Sequence, residues 1–435
     1  MNDPKPNITA VTAQYLCNTC GACFAACRSG AIRYKESVGG YLFPVVDAAA
    51  CSHCGICYQV CPGVGLGKTL CERIAQDPFV GDIKSCHVGR ATDGEIYRNS
   101  QSGGLATALL HHLFACGQID AAIVTVMEKS TPPRGGVRVV YQAENLKQAQ
   151  KSKYSPTPLL MALRQLPPEV HRVGLVALPC QMHGLHNLQD LVPAYKNLFF
   201  FKIGLICDRT MTSSAIDYMG MLAAREPLTD LIWRDKQKNS YPGNPVVFTE
   251  SGRQIILKAS QRMMIKDFFT PIRCRLCFDK LNIFADVTAG DPHGIKGVDR
   301  QGGESIALVR TKSGHQMILE AIRAEAISLR EITAMEVIAG QRIDEKRRQW
   351  AGYMHAWADM GRTPPRYPFV LPPSSDIAQQ KHWLQHGLQL DQFASRADVL
   401  QSANQWALRY RLSSAWRWPF ARTRSLLRRL AQGKI

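Results

Sequence analysis

The stretch "CNTCGACFAAC", residues 17–27, holds four cysteines in eleven positions, and "CSHCGICYQVCP" repeats the spacing from Cys51 to Pro62. Both runs read C-x2-C-x2-C-x3-C. Whatever binds thiols this dense dictates where the backbone turns, so this pattern constrains the fold more than any hydrophobic one. Three readings compete: a disulfide framework, zinc ligation, or a redox centre. Fifteen cysteines in 435 residues is far below the density of a small disulfide scaffold. The start, "MNDPKPNITA", is polar and lacks a signal-peptide pattern. No run of about eighteen uncharged apolar residues occurs. A reducing cytoplasm is the expected setting, where thiols more often hold metal than pair. Structural zinc favours two C-x2-C pairs separated by a longer loop over consecutive triplets.

The doubled run resembles the ligand pattern of bacterial two-cluster ferredoxins. That resemblance implies crossed ligation, in which the fourth cysteine of each run turns away to the other cluster. Cys17, Cys20, Cys23 and Cys61 then hold one [4Fe–4S] cluster, and Cys51, Cys54, Cys57 and Cys27 the other. Gly21 and Gly55 follow the second cysteine of each run, where the absence of Cβ lets backbone crowd a cluster. Between the runs "AIRYKESVGGYLFPVV" alternates as a hairpin turning at Gly39-Gly40. Arg28 departs from the pattern, since proline usually follows the fourth cysteine.

Seven cysteines remain. Cys180 follows an apolar strand ending at Pro179, Cys207 ends the strand "FFFKIGLIC", and Cys274 and Cys277 form a C-x2-C pair. Strand ends on one side of an α/β sheet converge, so these four are candidates for a third centre. Cys71, Cys86 and Cys116 read as ordinary core thiols, Cys116 at the end of an amphipathic helix, "LATALLHHLFACG".

Several stretches, "RNSQSGGLATALLHHL", "KSKYSPTPLL", "LPCQMHGL", "IGLIC" and "CRLCFDKLNIFADVTAGDPHG", together resemble the family of coenzyme F420 hydrogenase/dehydrogenase beta subunits, which includes 7-hydroxymethyl chlorophyll a reductase. With the cysteine-rich module they span about residues 15–300. The resemblance implies an FAD-containing iron–sulfur oxidoreductase and supports Cys180, Cys207, Cys274 and Cys277 as ligands of a cluster near the flavin. Two departures stand out: Ala177-Leu178 precedes Pro-Cys where a Gly-Thr-like pair is expected, and His293 replaces an aromatic residue.

"NSQSGGLATALL" reads as a glycine turn opening a helix, which presents backbone N–H groups to a pyrophosphate. The same turn also makes an ordinary helix cap. With the resemblance, Ser100, Gln101, Ser102, Gly103 and Gly104 become FAD-contact candidates, followed by Lys153, Tyr154, Gly290 and Asp291. A flavin suits a chain with clusters, because it accepts single electrons and passes on a hydride. His183, His186 and His293 lie near the third cysteine set, but no catalytic acid stands out.

The formal charge is +18, and residues 340–435 hold sixteen Lys/Arg against six Asp/Glu. "QRIDEKRRQWAGYMHAWADMG" is helical in pattern and "RTPPRYPFVLPPSSD" reads as a proline-rich linker. In the basic end Trp406, Trp416, Trp418 and Phe420 alternate with arginine. That pattern fits a solvated helix face, docking of an acidic protein such as a ferredoxin, or contact with an anionic membrane surface. Nucleic-acid binding has no groove-reading motif behind it.

The expected fold class is α+β. A ferredoxin-like 2[4Fe–4S] module (1–80) precedes a central α/β flavin and iron–sulfur region (81–170 and 171–335) and a helical basic extension (336–435). The expected function is a cytoplasmic oxidoreductase, peripheral at the inner membrane surface if the basic end binds lipid. It passes electrons from a ferredoxin-like donor through [4Fe–4S] clusters to FAD and a small-molecule substrate, or in reverse. The alternative is a non-catalytic electron-transfer subunit of a larger complex. Substrate identity is not encoded in any motif.

Overall fold

A computed structural model describes residues 5–410 apart from 224–225, 238–239 and 375–376. Its first element pair is the expected hairpin: β1 (Ile32–Glu36) and β2 (Leu42–Val46) are antiparallel, with Glu36 opposite Leu42. Gly40 in the turn takes φ 85°, a value that glycine adopts without strain. The cysteine runs flank this hairpin. Each contributes a short helix, Ala22–Ala26 and Ile56–Gln59, opened by Gly21 and Gly55 in the left-handed region.

The centre of the molecule is an eight-stranded mixed sheet. In chain order its strands are β3 (Ser85–Ala91), β4 (Ala121–Glu128), β5 (Arg134–Val140), β6 (Arg172–Ala177) and β7 (Phe199–Leu205). A separate three-stranded sheet follows, from β8 (Leu228–Asp235), β9 (Asn244–Thr249) and β10 (Gln254–Ile256). The chain then returns to the large sheet with β11 (Val287–Gly290), β12 (Ser305–Val309) and β13 (Ile327–Ile332). The large sheet runs in the order β13-β3-β12-β11-β7-β6-β4-β5. Its inner four, β4, β6, β7 and β11, are parallel, and the outer pairings are antiparallel. The apolar run 121–124 of β4 and the wholly buried β12 suit strands covered on both faces.

One hydrophobic core joins the cysteine-rich module, the sheet and the later helices, with Cys20, Leu160, Met182, Trp350 and Leu384 all in it. The helix Pro179–Leu191 lies directly on the module. A Cβ at Gly184 would stand 3.1 Å from Ala22 Cβ and 3.3 Å from Cys20 Sγ, so glycine permits this approach. Asn187 Nδ2 donates to Val60 O (3.1 Å) and Tyr195 OH to Ala25 O (3.0 Å) across the same contact.

The segment 362–374, expected as a linker, is instead a strap. Leu66 N donates to Arg366 O and Arg366 N to Val64 O, while Tyr367 and Phe369 join an aromatic cluster with Phe278 and Trp350. Local proline content marks an absence of helix; it carries no record of what the aromatic residues between the prolines pack against. Further on, Arg134 and Arg396 share the carboxylates of Glu36 and Asp217, binding the hairpin, the sheet and the C-terminal segment together. Trp406 packs on Phe268 and Trp383 and so faces inward. Residues 411–435, with Trp416, Trp418 and Phe420, lie outside the described residues. No helix among the described residues is long and apolar enough to cross a membrane.

Candidate metal centres and cofactor site

The crossed pairing of the first two thiol sets appears in their surroundings. Burial pushes the Cys23 thiol well above its usual pKa, and the neighbours that push it further are Cys17, Cys20 and Cys61. Cys61, from the second run, is likewise raised by burial and by Cys20 and Cys17. Conversely Cys27, from the first run, lines one pocket with Cys51, Cys54 and Cys57. The first set is wholly buried, whereas Cys54 is exposed and Cys27 and Cys51 are half-buried. The Ile56 N–H draws the Cys54 thiol down, and Lys5 helps.

The third set also assembles. β6 and β7 are parallel neighbours with Ala177 opposite Gly204, so their C-terminal ends emerge side by side. Cys180 sits in the first turn of the helix after β6, behind Pro179 at a position where its missing N–H costs nothing. Cys207 lies two residues past β7, and the short helix Ile272–Arg275 brings Cys274 and Cys277 over the same edge. Burial raises the Cys180 thiol, and its thiol neighbours are Cys20, Cys207, Cys274 and Cys277. Cys20 belongs to the first set, and it also lies against Gly184 in the helix that carries Cys180, so the first and third sets are neighbours across that helix.

These residues fit clusters. Burial pushes Cys17 to about 12 and Cys20 to about 11, so the bare thiols stay protonated, and ionising them requires a cationic centre among them. Backbone N–H groups aim at sulfur, Thr19 N at Cys17 Sγ and Gly63 N at Cys61 Sγ, each at 3.3 Å. Cationic Arg273 and Lys346 act on Cys274 and Cys277. Among the described residues no group of three or more His, Cys, Asp or Glu is gathered as around a single ion. Thiols on separate irons of a cube stand wider apart than thiols on one zinc. Arg28, the departure from the ferredoxin pattern, is exposed.

The flavin candidates share one neighbourhood. Gln101 Oε1 accepts from Ser152 N (3.1 Å), and the end of β8 bridges the rest. Arg234 Nη1 donates to Asp291 (2.6 Å) and to Tyr154 OH (3.3 Å). Lys236, on the same face two residues on, donates to Ser100 Oγ (3.2 Å), Ser102 O and Gly302 O. Lys153 Nζ is surrounded by the carbonyls of Ala149, Gln150 and Lys151, and its three donors are spent on backbone. Gly103 faces backbone: a Cβ there would stand 2.4 Å from Gly89 O and 2.6 Å from Ser305 N. Gly104 caps the following helix at φ 80°. Gly290 closes β11 beside Ile206.

Sequence reasoning missed Arg234, Lys236 and Arg262, which no local pattern marks. Among the described residues Arg234 Nη2 and Arg262 Nε are buried without a hydrogen-bond partner, and Arg262 stacks over the Tyr154 ring at 5.4 Å. Two guanidiniums thus converge where Asp291 supplies the carboxylate. The histidines read as structural. His183 pairs with Asp279 (2.9 Å), and burial with Lys202 and Arg73 lowers His186 to about 3, so it is neutral. His293 is exposed.

Comparison with known proteins accords with this geometry. Residues 86–164 match the N-terminal family model, and residues 170–335 the C-terminal one, for the coenzyme F420 hydrogenase/dehydrogenase beta subunit. Residues 16–64 match a 4Fe–4S dicluster domain. The chain belongs to the family of coenzyme F420 hydrogenase/dehydrogenase beta subunits. It is 24% identical over 358 residues to a subunit of the F(420)H(2) dehydrogenase of Methanosarcina mazei, covering 79% of this chain and 92% of that one. It is 25% identical over 355 residues to the coenzyme F420-dependent sulfite reductase of Methanocaldococcus jannaschii, covering 73% of this chain and 54% of that one. A chain of the F420-reducing [NiFe] hydrogenase complex from Methanosarcina barkeri shares the fold, with TM-score 0.52 and 20% identity over 68% of this chain and all of that one. The family member described here is an iron–sulfur oxidoreductase or electron-transfer subunit.

Proposed function

We propose that the chain is a flavin-dependent iron–sulfur oxidoreductase acting between a protein electron partner and a small-molecule substrate. When bound, three [4Fe–4S] clusters carry single electrons and FAD pairs them into hydride transfer. The chain's own residues supply order and insulation. The exposed Cys51–Cys54 end, ringed by Lys5, Arg28 and Arg164, forms the face for an acidic partner. Cys17, Cys20, Cys23 and Cys61 exclude water behind it. Cys180, Cys207, Cys274 and Cys277 continue inward. The packing of the Cys180 helix on Cys20 and Ala22 carries this reading, because it brings the first thiol set beside the third.

For the flavin, the anion-seeking groups are Arg234 and Arg262 with Tyr154 beside them, close to the turn Ser100–Gly104 and to Asp291. A diphosphate would complete the unpartnered N–H groups. The test is anaerobic purification, release of bound cofactor by denaturation, and reconstitution with FAD. One FAD per chain, reduced through the clusters by a viologen donor, is the expected result. Failure to retain FAD after reconstitution would leave an electron relay without a flavin, the reading of a non-catalytic subunit.

A further inference from the structure

Arg273 is buried, 3% exposed, and among the described residues no carboxylate pairs with its side chain. Its Nε donates to Gly63 O (3.1 Å), and its Nη2 to Pro62 O (2.9 Å) and Tyr367 OH (2.9 Å), while Nη1 has no partner among the described residues. Pro62 and Gly63 directly follow Cys61, and the Gly63 N–H donates to Cys61 Sγ. Arg273 is itself the residue before Cys274. The guanidinium thus spans from the last ligand of the first thiol set to the C-x2-C pair of the third. Its charge acts on Cys17, Cys20 and Cys61 on one side and on Cys274 and Cys277 on the other. Lys346, by contrast, acts on Cys207, Cys274 and Cys277, all of the third set.

A guanidinium is permanently charged. Buried without a carboxylate, it is costly unless negative charge lies near, and four-thiolate clusters carry about −2 each. A fixed cation between two anionic centres favours adding an electron to either. We infer that Arg273 is a shared counter-charge, a positioning and tuning residue that raises the reduction potentials of the first and third clusters together. This rests on the three-cluster reading proposed above.

The test is redox titration followed by EPR on the anaerobically purified full chain, comparing wild type with Arg273→Gln and Arg273→Lys. In Arg273→Gln the reduction equilibria of both clusters should weaken roughly tenfold, ~59 mV for one electron, while the cluster of Cys27, Cys51, Cys54 and Cys57 keeps its midpoint. Wild-type midpoints in a Gln variant that retains its clusters would overturn the inference. A shift in one cluster only would overturn the shared role. If Arg273→Gln fails to assemble its clusters, Arg273→Lys decides. Lysine keeps the charge but cannot fork between Pro62 O, Gly63 O and Tyr367 OH. Clusters retained near wild-type midpoints support the charge role, and clusters lost again reduce Arg273 to a brace for the loop. Iron content of the wild type is read first, so that failure of the three-cluster reading is distinguishable from failure of this one.

Discussion

At the scale of single residues, a thiol's partner matters more than its place in the chain. Cys27 sits in the first run but lines a pocket with the second, and Cys61 does the reverse. Cys27→Ser should therefore remove the EPR signal of the exposed cluster and spare the buried one, and Cys61→Ser the opposite. Loss confined to each run's own cluster would refute the crossing. The proposed flavin site turns on Arg262, whose Nε is buried without a partner among the described residues, beside Tyr154. Arg262→Gln should weaken FAD retention about tenfold, the worth of one charge-assisted hydrogen bond, with cluster signals unchanged. Equilibrium dialysis against FAD measures this, and an unaltered affinity would exclude Arg262 from the site. The two N-terminal cysteine runs were legible in the sequence because their spacing matches a known ligand pattern. Arg234, Arg262 and Arg273 were not, because their meaning lies in contacts far along the chain, as between Arg273 and Gly63.

Among elements, close approach decides. The helix Pro179–Leu191 reaches the module because Gly184 has no side chain: a Cβ already meets Ala22 and Cys20 at 3.1 and 3.3 Å. Gly184→Val adds two further carbons and should wedge the module from the sheet. All clusters should remain, while reduction of the third from the first slows in freeze-quench EPR. Unchanged transfer would show that the contact does not set the path. Gly103→Val behaves differently. Its Cβ would collide with β3 and β12 backbone, so loss of sheet stability precedes any effect on flavin. The hairpin, the helix Leu105–Ala115 and the strand ends at Cys180 and Cys207 were readable from periodicity and punctuation. The strap was not, since its aromatic residues follow no period and pack on residues distant in sequence.

For the whole molecule, the C-terminal segment belongs to the same core as the module it covers. Arg396 touches both Glu36 (2.6 Å) and Asp217 (3.1 Å) with about a quarter of its side chain exposed. Arg396→Ala should cost about 2 kcal/mol, below the range for fully buried pairs, read as a lower denaturant midpoint and faster proteolysis of the hairpin. No change in midpoint would make the quartet a surface ornament. On the three-cluster proposal the +18 counted from side chains alone overstates the holoprotein's charge, since three clusters at about −2 each would offset roughly six of it.

The claim that three sets of four thiols hold three clusters is tested most directly by analysing iron, acid-labile sulfide and zinc in the anaerobically purified protein. The account predicts about twelve irons and twelve sulfides per chain. About eight of each, with the Cys277→Ser variant losing none, would contradict the third centre, and zinc without sulfide would contradict all three.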